Sequence, residues 1–403
     1  MEADVHAPEP LIRRYMPELN VLRGIAVLGV LFFHGFRAEY GEQPFTGASR
    51  IFLLATQPGV LGVNLFFVLS GFLITGILID SKNRSDYYSR FYKRRALRIL
   101  PAYYLLLILL GLLHQASAAF LGLSFVYLSN VTALFGVSMD YHPLWSLAVE
   151  EHYYIAWPSA VRKLTLRSLA LFSLALCVFI PAIRAVSFHY GYFQGREWYT
   201  WFTADGLAAG SLLAIVLRSI QAPLVRKRAA FGAILLIAIS VVLLIAGAPF
   251  GMLSRLTLVG ASLQLTLVNA FFTGLLVLFL VIGSGSHKEL VNSSVLRLFG
   301  YISYGLYLIH LMIFHLYDKI TLMFWPRLHP SVGHFNLIVL RFAIGSALAI
   351  ALAFISRNYY EEWFLQRKDH VAPNPEKMSV EATVKPAALP VTSVPSREAS
   401  ESF

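Results

Sequence analysis

The segment "LRGIAVLGVLFFH", Leu22 to His34, decides the fold of this chain, because its composition is typical of a helix inside a membrane. Only two of its residues ionise readily, Arg23 and His34. Similar apolar runs recur from residue 20 to about residue 357, and about 20 apolar residues can cross a bilayer as a helix. With 57% hydrophobic residues, 14% charged residues and a mean hydropathy of +0.64, the chain is predicted to be an all-α, polytopic membrane bundle.

The distribution of lysine and arginine predicts how the helices cross the membrane. Eleven apolar stretches are candidates, and cytoplasmic loops usually carry the excess of basic residues. If the stretch Phe120–Gly136 is re-entrant or lies on the surface, the inner segments hold 21 Lys and Arg and the outer segments hold 7. We therefore expect about ten transmembrane helices, one re-entrant or surface segment, and both termini in the cytoplasm.

The chain is expected to form one membrane domain with a short segment on either side. Residues 1–16 are predicted to be cytoplasmic, and residues 17–370 to form the membrane domain. Residues 371–403 are rich in Pro, Ser, Ala and Glu, a composition that cannot bury enough apolar surface to fold. They are predicted to be a disordered cytoplasmic tail.

Composition and motifs argue against several kinds of site. The net charge of +11 is explained by basic cytoplasmic loops, so we expect no nucleic-acid partner. Cys177 is the only cysteine, which excludes an intramolecular disulfide and a cysteine metal cluster. The patterns His-Glu-x-x-His, Gly-x-x-x-x-Gly-Lys and Gly-x-Ser-x-Gly are absent. We therefore expect no metal site, no permanently bound cofactor and no covalent serine mechanism.

Arg23 and His34 are predicted to lie on one face of the first helix. They are eleven residues apart, which is three helical turns plus about 20° and a rise of about 16 Å. An imidazole at that depth either holds helices together as an interior histidine or acts as a general base in a wet cavity. Arg23 is either an interfacial anchor or part of the same site.

A second group of candidates is the segment "RFYKRRALRILPAYY", Arg90 to Tyr104, which carries five cations within nine residues. Arg90, Arg94 and Arg98 follow i, i+4, i+8 spacing and share a helix face, with Arg95 beside them. The cluster either contacts anionic lipid headgroups or binds a polyphosphate ligand, because arginine matches phosphate oxygens in a bidentate way.

The third group is "HPLWSLAVEEHYYIAWP", His142 to Pro158, with adjacent carboxyl groups at Glu150 and Glu151. In the predicted topology they lie at about the depth of His34, and they point about 100° apart, so at most one faces it. A carboxylate that orients an imidazole is the usual partner of a histidine base. The alternative is a carboxylate paired with a structural arginine or tyrosine.

A fourth group is Ser303, Tyr307 and His310, which share a helix face through i, i+4, i+7 spacing. For His310 a core position is favoured over a site position. Ser70 either packs helices or lines a channel, and packing is favoured. His315 is expected at the outer surface without a chemical role.

Five segments, in this order, resemble the motifs of acyltransferase family 3, the integral-membrane O-acyltransferases of bacteria, over residues 17–365. They are "ELNVLRGIAVLGVLFFH", "GVNLFFVLSGFLIT", "FYKRRALRILPAYY", "HPLWSLAVEEHYYIAWP" and "ISYGLYLIH". The resemblance implies transfer of an acetyl or other short acyl group from cytoplasmic acyl-CoA to sugar hydroxyls of exported polysaccharides, lipopolysaccharides or peptidoglycan. Larger relatives append a hydrolase-like domain, whereas here a polar tail follows, so no second catalytic module is expected.

The resemblance also implies roles for individual residues. The family's Arg-x10-His signature falls on Arg23 and His34, which makes His34 the expected base, with Glu150 orienting it. The remaining signatures fall on the basic set Arg94, Arg95 and Arg98, expected to bind acyl-CoA, and on Trp145, Ser146, Leu147 and Glu150. Possible supporting residues are Glu151, Trp145, Ser146, His310, Tyr307 and Ser70. His152 departs from the glutamine that relatives often carry there.

The expected protein is thus an acyltransferase of the bacterial inner membrane, with the lipid bilayer, acyl-CoA and a saccharide or glycolipid acceptor as its partners. The alternative is a transporter or flippase that uses intramembrane His, Arg and Glu as a proton relay. Against it, the sequence has no internal repeat and no paired Gly/Pro-broken helices in two halves.

Overall fold

The computed structural model describes residues 10–13, 15–41, 43–219, 225–285, 287–330 and 334–371, and over these residues every regular element is a helix. The predicted all-α class is confirmed. Most of the predicted N-terminal segment (residues 1–16) and all of the predicted tail (371–403) except Val371 lie outside the described residues.

The described α-helices are numbered in chain order. They are α1 (Pro17–Phe32), α2 (Ala38–Tyr40), α3 (Gly47–Thr56), α4 (Gly62–Asp80), α5 (Tyr87–Leu112), α6 (Ala118–Phe125), α7 (Leu144–Lys163), α8 (Leu166–His189), α9 (Thr200–Thr203), α10 (Asp205–Ser219), α11 (Val225–Ala246), α12 (Leu258–Gly283), α13 (Ser294–Phe324), α14 (Phe335–Ile355) and α15 (Glu362–Val371). Two π-helical turns, Phe33–Arg37 and Ser356–Glu361, follow α1 and α14, and 3-10 turns cover Gln57–Leu61, Ser129–Phe135, Ala248–Phe250, Lys288–Val291 and Pro326–Leu328.

Within the described ranges, 8 helices are long and apolar enough to cross a membrane: α1, α4, α5, α8 and α11 to α14. The sequence predicts about ten, and the two that fall short are α7 and α10. α7 carries Glu150, Glu151 and His152 in its middle, which lowers its hydropathy. α10 has only 15 residues, fewer than the roughly 20 that a spanning helix needs. Both are packed inside the bundle, α7 against α4 and α10 against α4 and α8.

The stretch Phe120–Gly136 does not form one continuous helix. α6 has 8 residues, and a 3-10 turn begins at Ser129 after a break at Tyr127, whose φ is +59°. An eight-residue helix is about 12 Å long, too short to cross a bilayer core of about 30 Å. This agrees with a re-entrant or surface segment.

Two glycines let α1 and α13 pack at close range. A Cβ added to Gly24 would lie 2.1 Å from the carbonyl oxygen of Leu296, and one added to Gly300 would lie 1.9 Å from that of Asn20. Small residues commonly allow such approach between membrane helices. The contact matters for the site because α1 leads into His34 and α13 carries His310.

The bundle has a buried centre and a periphery with exposed apolar side chains. The spans that contain α4 and α13 are the most buried, and α11 is the least buried. Large apolar residues of α11 are exposed, among them Phe231 and Ile245. Exposed apolar surface of this kind suits contact with lipid chains.

Candidate active site

His34 lies in a distorted turn that continues α1. The helix is α-helical to Phe32 and then π-helical over Phe33–Arg37, so His34 is the second residue of the wider turn. Single π-helical turns are rare and frequently occur at functional sites. The His34 side chain lines a cavity of about 450 Å³.

His310 is the direct partner of the His34 ring. Nε2 of His310 lies 3.2 Å from Nδ1 of His34, and the ring centroids are 5.0 Å apart. His310 is 1% exposed. The sequence favoured a core position for this residue, and the structure places it beside the predicted base.

Backbone carbonyls assign the tautomers of both rings. Nδ1 of His34 lies 3.1 Å from the Val30 carbonyl oxygen, and Nδ1 of His310 lies 3.1 Å from that of Leu306. A carbonyl only accepts, so each Nδ1 carries the proton. The single Nδ1–H of His34 is then shared between the Val30 carbonyl oxygen and Nε2 of His310, and Nε2 of His34 keeps its lone pair. A neutral imidazole with a free nitrogen is the form required of a general base.

Glu150 does not contact His34, contrary to the role predicted for it. Its Oε1 accepts a hydrogen bond of 2.7 Å from Ser70, and its Oε2 accepts one of 3.2 Å from Tyr154. Glu150 lines the middle cavity and His34 the upper one, and helical rise within α7 cannot predict which neighbouring helix the Glu150 side chain meets. Packing of α7 against α4 decides that it meets Ser70.

Three cavities lie one after another inside the bundle. The lower cavity, of about 390 Å³, lies where α1 begins; the middle cavity has about 100 Å³; and the upper cavity is the one that His34 lines. The lower and middle cavities share Arg23, Arg95 and Arg98, and the middle and upper cavities share Val63, Phe67 and Tyr307. Because neighbouring cavities share walls, they form one row from the arginines to His34.

The predicted arginines surround the lower half of this row. Arg94 lines the lower cavity, and Arg23, Arg95 and Arg98 line both the lower and the middle cavity. Within the described part of the chain, no carboxylate forms an ion pair with Arg23, Arg95 or Arg98. Arg95 instead lies over the ring of Tyr154, 4.9 Å from its centroid. Glu150 lines the middle cavity with these three guanidinium groups, which therefore carry more positive charge than the one carboxylate among them can balance.

Tyr307 lies where the middle and upper cavities meet, and Ser146 is its hydrogen-bond partner. The two hydroxyl oxygens are 2.7 Å apart, and the Ser146 hydroxyl also lies 3.2 Å from the Pro143 carbonyl oxygen. Ser303, one turn before Tyr307, lines the middle cavity. Of the face that the spacing predicts, Ser303 and Tyr307 therefore line the row of cavities, whereas His310 lines none of the three and meets the His34 ring instead.

Of the other supporting candidates, most line the upper or the middle cavity and one lines neither. Trp145 lines the upper cavity, and Ser70 and Ser146 line the middle one. Glu150 also lines the middle cavity, whereas Glu151 lines none of the three. Of the two adjacent carboxyl groups, Glu150 is the one that faces the site.

The upper cavity also contains residues that sequence reasoning missed or set aside. Trp198 packs against Trp145 with ring centroids 5.2 Å apart, and Arg255 lines the same wall. His315, expected to lie at the outer surface without a role, lines this cavity as well. No periodic signal connects these residues, because Trp198 and Arg255 come from separate loops and His315 from the interior of α13.

Among the described residues, no three or more His, Cys, Asp or Glu side chains are placed to hold a metal ion. What the site offers instead is an imidazole with a free nitrogen, hydroxyl groups and unpaired guanidinium groups. Such a set can deprotonate a hydroxyl and bind an anionic donor.

Comparison with known proteins agrees with this chemistry. A family model described as an acyltransferase domain matches residues 16–357. The peptidoglycan O-acetyltransferase OatA of Listeria monocytogenes is 34% identical over 167 residues, covering 36% of this chain and 24% of the relative. The putative peptidoglycan O-acetyltransferase YrhL of Bacillus subtilis is 34% identical over 165 residues, covering 36% and 23%.

A putative O-acetyltransferase of Staphylococcus aureus is 31% identical over 200 residues, covering 42% of this chain and 30% of the relative. The chain therefore spans less than a third of the length of these relatives. No solved structure matches the chain.

Proposed function

Since the chain belongs to the acyltransferase domain family, we propose that it is an O-acyltransferase of the bacterial inner membrane. It moves an acetyl or other short acyl group from cytoplasmic acyl-CoA to a hydroxyl of an exported saccharide or glycoconjugate. The observation that carries this proposal is the row of three cavities between the unpaired arginines and His34. Peptidoglycan, named for two relatives, is one acceptor of this class.

The donor enters at the end of the bundle where α1 begins. Arg94, Arg95 and Arg98 bind the phosphates of CoA, because guanidinium groups match phosphate oxygens and no described carboxylate lies within ion-pair distance of Arg95 or Arg98. The pantetheine arm extends through the middle cavity past Arg23. Arg23 and His34 are eleven residues apart in the chain, about 16 Å along a helix, a distance comparable to the length of that arm.

The acceptor enters from the opposite end, through the upper cavity. At about 450 Å³ the cavity lies within the usual range for a small-molecule site, roughly 300 to 1,000 Å³. Trp145 and Trp198 supply aromatic faces on which a sugar ring can lie. This arrangement keeps donor and acceptor on separate sides until the thioester and the hydroxyl meet beside His34.

The chemistry follows from the tautomers of the two histidines. Nε2 of His34 takes the acceptor hydroxyl proton while the oxygen attacks the thioester carbonyl carbon. The new C–O bond forms, the C–S bond breaks, and the proton passes from Nε2 to the departing CoA sulfur. His310, which accepts from Nδ1–H of His34, stabilises the imidazolium that exists between these steps. No covalent enzyme intermediate is required.

Tyr307 is placed to stabilise the oxyanion of the tetrahedral intermediate. In this structure the Ser146 hydroxyl donates to the Pro143 carbonyl oxygen and accepts from Tyr307, and when the oxyanion forms at the junction of the middle and upper cavities the Tyr307 hydroxyl turns from Ser146 to donate to it. A preorganised donor at that point acts on charge that develops only during the reaction.

Reconstituted protein with radiolabelled acetyl-CoA and a polysaccharide acceptor tests the proposal. We expect label transfer that requires His34 and is lost in a correctly inserted His34→Ala variant. Full transfer by His34→Ala would refute the base. Movement of an unmodified solute without any acylation would favour the transporter class instead.

A further inference from the structure

An ion pair between a buried arginine and a partly exposed aspartate lies beside the site and takes no part in the chemistry described above. Arg341 of α14 is 0% exposed, and its Nε and Nη2 donate to the two carboxylate oxygens of Asp318 of α13, both at 2.7 Å. Charges are costly within a membrane bundle and usually have a functional reason there.

Arg341 has a further contact, and it leads to His34. Its Nη1 donates to the carbonyl oxygen of Gly35 at 3.4 Å, inside the π-helical turn and one residue after His34. The guanidinium carbon also lies 5.3 Å from the ring centroid of Tyr40, which follows that turn. Arg341 therefore holds the turn from the side of α14.

The same turn is fixed sterically at Gly35. A Cβ added there would lie 2.3 Å from the ring of Phe342, the residue after Arg341. The turn and α14 thus fit together without space for a side chain. A shift of the π-helical turn toward ordinary α-helical geometry would break both contacts.

The ion pair also reaches the helix that carries His310. Asp318 lies on α13, eight residues after His310, and the guanidinium lies 4.8 Å from the ring centroid of Phe314. Phe314 in turn packs edge-on against His310, with ring centroids 6.4 Å apart. One ion pair therefore contacts the supports of both imidazoles.

We propose that the Arg341–Asp318 pair is a positioning device, which holds the π-helical turn of His34 in register with His310 across α13 and α14. The proposal rests on the function proposed above, in which His34 is the base. Without the guanidinium, the Gly35 carbonyl loses its donor and the turn is free to relax. The His34 ring then moves away from His310 although neither histidine has changed.

The test replaces the pair by apolar residues of similar size, Arg341→Met with Asp318→Leu. Such a replacement of a buried ion pair often leaves stability unchanged or raised, so the double variant is expected to fold. We expect kcat to fall about 100-fold, the usual cost of a misplacement of about 1 Å, with the KM for acetyl-CoA nearly unchanged. The single variant Arg341→Lys keeps the charge and a donor beside Asp318. Its kcat should therefore fall less than that of the double variant.

A second buried ion pair gives a matched control. Arg184 and Asp205 join at 3.0 Å, with side chains 0% and 2% exposed, and neither contacts His34 or His310. The variant Arg184→Met with Asp205→Leu should retain kcat within about threefold. Wild-type kcat in the Arg341 double variant, or an equal loss in the control, would overturn the proposal.

A cross-linking measurement makes the result independent of catalysis. In a Cys177→Ser background, His34→Cys and His310→Cys are joined by a short bis-methanethiosulfonate reagent. Adding Arg341→Met and Asp318→Leu should lower the cross-linking yield severalfold, and an unchanged yield rejects the positioning role. If the yield falls but the protein with both histidines intact transfers no acyl group, the proposed function is rejected and the positioning role remains supported.

Discussion

Nε2 of His310 lies 3.2 Å from Nδ1 of His34, although the two residues are 276 positions apart in the chain. Because both Nδ1 atoms face backbone carbonyls, the pair has one consistent proton arrangement, with the lone pair of His34 on Nε2. His310 is therefore the partner of the His34 imidazole, a role that the sequence predicts for the carboxylate of Glu150.

Replacing His310 tests this pairing. His310→Phe keeps an aromatic ring in the buried site but removes the acceptor for Nδ1–H of His34. We expect kcat to fall about 100-fold, in the usual range for loss of an acid–base group, with little change in KM for either substrate. The exposed His189 offers a control, since His189→Phe should leave steady-state transfer unaltered. A His310→Phe enzyme with normal kcat would contradict the role.

Glu150→Gln separates the observed contacts from the predicted one. Glutamine can still accept from Ser70 and can donate to the Tyr154 hydroxyl, so the middle cavity should persist. We expect kcat to fall less than about tenfold. A carboxylate that oriented the imidazole would cost about 10⁴-fold when replaced by its amide, so a loss of that size would restore the predicted contact. Initial rates at saturating acetyl-CoA measure kcat for Glu150→Gln and for the wild-type protein.

Arg95→Gln should weaken donor binding. Loss of one charge-assisted hydrogen bond to a phosphate costs about 1.5 to 3 kcal/mol, which corresponds to a rise of about 10- to 100-fold in the KM for acyl-CoA. Lys93 is exposed and lines none of the three cavities, so Lys93→Gln serves as the control. Equal effects of the two variants would indicate a general attraction to lipid headgroups and not a donor site.

Gly24→Ala should push α1 away from α13. The added Cβ would lie 2.1 Å from the Leu296 carbonyl oxygen, a backbone atom that cannot rotate away. We expect a loss of about 1 to 3 kcal/mol in the free energy of unfolding, and lower activity because His34 and His310 separate. Gly232 of α11 has open space around its Cβ position, so Gly232→Ala should melt in detergent at the wild-type temperature or above. Identical melting of both variants would argue against the close contact.

Much of the site was predictable because it depends on local geometry. Composition alone predicts a helical membrane domain, and the helical repeat places Arg23 and His34 along one stripe and groups Arg94, Arg95 and Arg98. The buried pairs could also have been noticed, since Arg341 and Arg184 stand inside apolar runs. Neither arginine belongs to a motif or a periodic set, so the sequence does not indicate which partner it meets.

The sequence by itself determined the all-helical membrane fold and the spacing of the ionisable residues along each helix, since hydrophobicity and helical rise are properties of each segment alone. Only the tertiary structure decided that His310 and not Glu150 meets His34, and that Trp198 and Arg255 share its cavity. These choices depend on which helices pack together, through contacts such as that between Gly24 and Leu296. No periodicity within one segment contains that information, because packing joins residues hundreds of positions apart.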